Sequence, residues 1–326
     1  MNGSRRRQTP LPHSDTNLAN NTNQILHQDQ TTPLLQDLEF SLEPTSTVVA
    51  NTQTEKPIET TPKVENLYIE PIPPKENALI ETLQNALTQG EIHLKYQQLF
   101  DKQDECLHTY EVTSGFIFNN EWHNCSDLKD LSENAELSIQ LDRWILVEAC
   151  KQLHNFIIQY PEAKLIVNLN KHILLHDKSL PDLVTKLITI IGSSVENPLI
   201  LQFNEEDIHI NLADAQKQIQ LLIASGAEIS LRKFGTAAYS SSLLKHITIQ
   251  YVCLDEQFAT KLEHEESQEE LTHQLTSFQE IQDFEIILRD LNNMNLFANA
   301  WNVNARFIQG DYFQKKLDHL IDVQEQ

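Results

Sequence analysis

Apolar positions along this chain change their period abruptly near residue 77. From there Leu79, Ile80, Leu83 and Leu87 recur at helical spacing and stop at Gly90. Ile92 to Phe100 then reads as a strand, and the polar turn Asp101 to Glu105 leads into a second strand, Leu107 to about Thr113. So short a turn implies an antiparallel pair. A long helix follows from about Asn134 to Gln159, with Leu141, Ile145, Ala149, Leu153 and Phe156 on one face. Strands then alternate with helices: Lys164–Leu169, Leu199–Phe203, Ala227–Leu231, Gln250–Leu254, Phe284–Leu288 and Arg306–Ile308, with helices such as Leu212 to Ser225 and Ser267 to Phe278 between them. Repeated βα units imply parallel strands with right-handed crossovers, and their number suits a barrel better than a small open sheet.

Residues 1–76 have a different character. They hold nine of the twelve prolines and two aromatics, Phe40 and Tyr68, amid Asn, Gln and Thr. Such a segment cannot bury enough apolar surface to offset its ordering entropy. The expected organisation is a disordered tail over 1–76 and one folded domain over 77–322. Leu34-Leu35-Gln36-Asp37-Leu38 and Leu67-Tyr68-Ile69 are its two short apolar patches, readable as docking motifs or as incidental apolar residues.

Composition narrows the function classes. A formal net charge of -23 over 326 residues disfavours nonspecific contact with nucleic acid or anionic membrane. No apolar run is long enough to span a bilayer, and Arg5-Arg6-Arg7 is not followed by the apolar stretch of a signal peptide. The four cysteines, Cys106, Cys125, Cys150 and Cys253, lack zinc or redox spacing, and Cys150 and Cys253 read as buried thiols in a reducing cytoplasm. Thirteen scattered histidines form no paired metal motif. Only seven glycines are present, without a GxGxxG or phosphate-loop pattern, which disfavours a dinucleotide or nucleoside-triphosphate site.

The most informative stretch is Leu231-Arg232-Lys233-Phe234-Gly235-Thr236, a strand end carrying two adjacent cations. It resembles the LDDFGTG loop of EAL domains, the bacterial phosphodiesterases that cleave cyclic di-GMP. Other fragments fall in that family's order: Leu94-Lys95-Tyr96-Gln97-Gln98-Leu99 for the opening strand, Glu111-Val112-Thr113 for Glu-Ala-Leu, Leu141-Asp142-Arg143-Trp144 with Ala149-Cys150, Val167-Asn168-Leu169-Asn170, and Ile308-Gln309-Gly310-Asp311-Tyr312-Phe313 at the close. The resemblance implies an α/β fold, the EAL-type (β/α)8 TIM-like barrel with an antiparallel first strand.

It also implies a reaction, metal-activated hydrolysis of a phosphodiester, which needs carboxylate ligands. Aligned on the motifs, Glu111, Asn168, Asp255 and Gln309 are kept. Gln202 stands for a metal glutamate, Arg232 and Lys233 for the paired aspartates, Cys253 for a lysine that handles the attacking water, and Arg289 for a further glutamate. Three of the four lost carboxylates are replaced by cations, and a cation repels a divalent ion at close range. The resemblance therefore implies a degenerate, catalytically inactive domain acting through protein contacts.

Two states of the pocket are open. Arg232, Lys233 and Arg289, with Glu111, Asn168, Gln202, Asp255 and Gln309, form a candidate phosphate and nucleotide site, with cyclic di-GMP as ligand and no other cofactor. Alternatively Arg232 or Lys233 pairs with Glu111 and closes the pocket, leaving a nucleotide-independent scaffold. Binding members of the family usually carry an arginine where this chain has Gly115. Within the family the chain resembles the FimX-like regulators of type IV pili, which implies a PilZ-type adaptor as partner. The Ser240-Ser241-Ser242 loop lies where that family makes its dimer contact, so a homodimer is a further expectation.

Overall fold

Nine strands form one sheet in the order β1-β9-β8-β7-β6-β5-β4-β2-β3, and an added β1–β2 pairing closes the first eight into a barrel. The structure, a computed structural model, describes residues 75–104, 108–128, 131 and 133–321. Residues 1–74 of the expected tail, with its two patches, and Cys106 lie outside the described residues, while residues 75 and 76 begin the helix Lys75–Gln89. The strands are β1 (His93–Asp101), β2 (Thr109–Phe118), β3 (Glu121–Asn124), β4 (Lys164–Asn168), β5 (Leu199–Asn204), β6 (Glu228–Phe234), β7 (Tyr251–Leu254), β8 (Glu285–Leu288) and β9 (Phe307–Ile308). β1 runs antiparallel to both β2 and β9, while β2, β4 and every strand through β9 pair in parallel. The antiparallel first strand and the βα barrel are as the periodicity implied.

Two features differ from the sequence expectation. β2 continues five residues beyond Thr113, and β3 folds back on it as a hairpin. The turn residues Asn119 and Asn120 both have positive φ, 53° and 64°, the requirement of a tight two-residue hairpin turn. β6 also runs on to Phe234, with a bulge between Leu231 and Phe234.

The core has two parts. The larger lies between the outer face of the barrel and its helices, among them Ala135–Phe156, whose Asn134 cap accepts a hydrogen bond from the Leu137 amide. The smaller fills the barrel itself with Leu99, Ile166, Ile200, Tyr251, Cys253, Ile287 and Phe307. Side chains alternate along a strand, so residues two positions from this layer share its face. Two positions toward the strand starts stand Lys164 and Glu285, and beside them Asp101, Glu228 and Arg306. There Arg306 grips Asp101 through Nε (3.1 and 3.0 Å) and Nη2 (2.8 Å) and reaches Glu285 at 2.7 Å, while Lys164 pairs with Glu228 at 2.7 Å. This ion-pair floor faces the end of the barrel that holds stability; the other end is the one that carries chemistry in such folds.

Candidate functional site at the strand ends

Two positions beyond the interior apolar layer, the same alternation gathers Asn168, Gln202, Arg232, Asp255, Arg289 and Gln309, with Glu111 beside them on β2. Above them opens a cavity of about 350 Å³. Arg232, Lys233, Arg289, Glu111, Asn168 and Asp255 line it. Gln202 and Gln309 do not: both are buried beneath it, and Gln202 Nε2 donates to Ser230 Oγ at 2.9 Å.

Glu111 is the centre of the arrangement. Asn168 Nδ2 donates to its Oε1 at 2.7 Å and to the Val112 carbonyl at 3.2 Å. Burial pushes the Glu111 carboxyl up, but the Arg289 guanidinium, the Asn168 and Gln309 amides and Lys316 outweigh it and hold the group below the usual carboxylate range. Arg289 is held above its ordinary value, first by Glu111 and then by Cys253. The Gln309 amide faces Glu111, yet its Nε2 makes no well-formed hydrogen bond. The Asn168 Oδ1 and Gln202 Oε1 atoms are likewise buried without partners among the described residues.

The expected pairing of Glu111 with Arg232 or Lys233 does not form. Arg232 Nε donates instead to Asn204 Oδ1 at 2.7 Å, because parallel register sets Asn204 directly beside Arg232 on the neighbouring strand. Burial lowers the Arg232 pKa, with Glu111 opposing and Arg289 adding to the fall; a guanidinium stays charged nonetheless. Lys233 is exposed and takes the bulge position at φ 55°. Asp290 adopts the same left-handed conformation (φ 65°) and lies 3.2 Å from Arg289 Nε. Each arginine is thus followed by a non-glycine residue in a costly backbone conformation, a feature concentrated at working sites.

Further residues line the cavity that the sequence reading did not single out for it. Asp142, on the helix Ala135–Phe156, accepts from the Asn170 backbone amide (2.8 Å) and side chain (3.1 Å), and burial pushes its carboxyl up to about 7. A charge on the buried stripe of that helix was its available signal. Lys316 comes from the chain after β9, where no pattern marks it. Asp127, Glu256 and Asp290 complete the acidic part of the rim. Cys253 lies below, buried, its thiol pushed up to about 12 by that burial. Cys125, Cys150 and Cys253 are free and buried, as read for the last two.

Gly115, where an arginine was the family expectation, is shaped by its neighbour. A Cβ there would overlap the Trp122 ring and the His123 carbonyl across the hairpin. The indole lies where a side chain from residue 115 would begin.

Residues 80–316 match the EAL domain family. The chain belongs to that family. Its barrel is similar to the FimX EAL domain from Pseudomonas aeruginosa, solved bound to c-di-GMP: TM-score 0.66 and 24% identity, covering 74% of this chain and 96% of that one. The Xanthomonas citri FimX EAL domain in complex with c-diGMP gives 0.65 and 20% over 76% of this chain and 96% of that one. In sequence the chain is 24% identical over 246 residues to the oxygen sensor protein DosP of Escherichia coli (strain K12); the match takes 72% of this chain but only 29% of DosP. The EAL domain therefore spans less than a third of that relative. Among the described residues no helix is long and apolar enough to cross a membrane.

Proposed function

We propose that this EAL domain is a non-hydrolysing receptor for cyclic di-GMP that acts through protein contacts. The observation that carries the reading is the company of Glu111: a buried carboxylate faced by Arg289, with Arg232 on the same cavity wall.

A divalent metal does not fit this donor set. Such an ion needs several oxygen ligands. Among the described residues no three His, Cys, Asp or Glu side chains come together as a metal-binding group. Asn168 turns its N–H toward Glu111, and the charge facing that carboxylate is already a guanidinium.

The same groups suit binding. Arg232, Lys233, Arg289 and Lys316 are donors for phosphodiester oxygens, arginine being suited to bidentate contact. The carboxylates of Asp127, Asp142, Asp255 and Glu256 are acceptors for the N–H edge of guanine. Release of the signal to a protein partner, with a PilZ-type adaptor and control of type IV pili or motility as the FimX-like case, and action in the cytoplasm belong to the same reading.

A nucleotide-independent scaffold is the second reading, favoured by the charge balance between Glu111 and Arg289. Incubation with cyclic di-GMP and magnesium or manganese, followed by chromatography, tests inactivity: intact nucleotide is expected, and linear product overturns the proposal. Loss of binding in an Arg232→Ala, Lys233→Ala variant supports the receptor; no binding by the parent leaves the scaffold.

A further inference from the structure

The outer face of β1 and the β2–β3 hairpin meets the helix Ala135–Phe156 in a second groove, of about 560 Å³, away from the site above. Two of the chain's three tryptophans, Trp122 and Trp144, line it beside Leu94 and Ile117, and Ile117 is 50% exposed. Lys95 Nζ stands 4.3 Å from the Trp122 ring centroid, and the groove's charged rim holds Glu148 and Asp318 as well. Tyr96 also borders it. That residue is 2% exposed, and its buried hydroxyl has no hydrogen-bond partner among the described residues.

The groove begins at Gly90, where the helix Lys75–Gln89 ends. A helix of 15 residues is about 22 Å long. The chain that leads into its other end carries Leu67-Tyr68-Ile69, then Pro71-Ile72-Pro73-Pro74. Proline favours an extended conformation of about 3.1 Å per residue, so the seven steps from Tyr68 to Lys75 span about 22 Å. That span matches the length of the helix it precedes.

We infer that Leu67-Tyr68-Ile69 runs back along the helix Lys75–Gln89 and docks in this groove, setting apolar side chains against Trp122 and Trp144. Attachment through the same chain gives a short motif a high effective concentration, so three apolar residues suffice.

The test uses the full chain labelled with 5-fluorotryptophan, the three resonances assigned by single Trp→Phe substitutions. A Leu67→Ser, Tyr68→Ser, Ile69→Ser variant is expected to shift the Trp122 and Trp144 fluorine signals while Trp301 stays in place, which also reports an intact fold. A synthetic peptide of residues 63–74 added to that variant is expected to return both signals toward the parent positions. Identical Trp122 and Trp144 signals in parent and variant overturn the inference. Parent signals that move with protein concentration also overturn it, by assigning the groove to a second copy of the chain.

Discussion

Asn168 Nδ2 donates to Glu111 Oε1 at 2.7 Å and so ties β4 to β2 inside the barrel mouth. With Arg289 opposite, this contact keeps a buried carboxylate charged. A glutamate depressed in the folded state contributes stability that is present above its unfolded pKa and lost as pH falls through the folded value. In Arg289→Ala the depressing cation is gone and burial dominates, so the Glu111 pKa rises and the sign reverses. The variant is expected to be about 3 kcal/mol less stable at pH 7, the cost of breaking a buried pair. The gap should narrow as pH falls toward the carboxylate range. Urea midpoints of parent and variant at pH 7 and pH 5 check this.

Asp142 gives the opposite pH sign. Its carboxyl is pushed up to about 7 by burial, so the folded state holds a proton that the unfolded chain releases near the ordinary aspartate range. Stability from this group falls as pH rises between those values. Asp142→Asn removes that titration and keeps one acceptor for Asn170. The difference in urea midpoint, variant minus parent, is expected to be more positive at pH 8 than at pH 5.

Gly115 is fixed by the indole that lies against it. Gly115→Arg is expected to displace Trp122, shift its fluorescence and lower stability by about 1–3 kcal/mol, the range for overpacking a filled site. Thermal melts with tryptophan emission read both effects. A variant as stable as the parent would show that the hairpin yields easily.

The barrel floor separates stability from binding. Asp101 is buried (2% exposed) and gripped by Arg306. Asp101→Ala is expected to cost about 3–5 kcal/mol, the range for a broken buried pair. Nucleotide affinity, measured below the melting transition, should stay within about twofold, because the floor and the cavity lie at opposite strand ends. Chemical denaturation and calorimetry on the same preparation separate the two.

The fold was legible where burial on both faces writes continuous apolar runs, as in Leu199–Phe203 and Phe284–Leu288, which became β5 and β8 with ends moved by one residue. The second half of β2 and all of β3 were not: one face of that hairpin is half-exposed, and the cross-strand contact that organises it, Trp122 over Gly115, is invisible along the chain. In the site, alternation brings Arg232, Arg289, Glu111 and Asn168 to one cavity. It could not show the partner of Arg232, because Asn204 is set beside it by inter-strand register rather than by spacing. Depth was equally hidden: Gln202 and Gln309 are buried and do not line the cavity.

In the proposed receptor, cations take the part that metals take in a hydrolytic site and neutralise the phosphates of the bound nucleotide. Calorimetric titration of the full chain with cyclic di-GMP in the presence of EDTA is the decisive measurement. Saturable binding with a micromolar Kd in chelator is expected, weakened at least tenfold in Arg232→Ala and in Arg289→Ala. Absence of heat up to millimolar nucleotide, or binding that appears only when magnesium or manganese replaces EDTA, would contradict it.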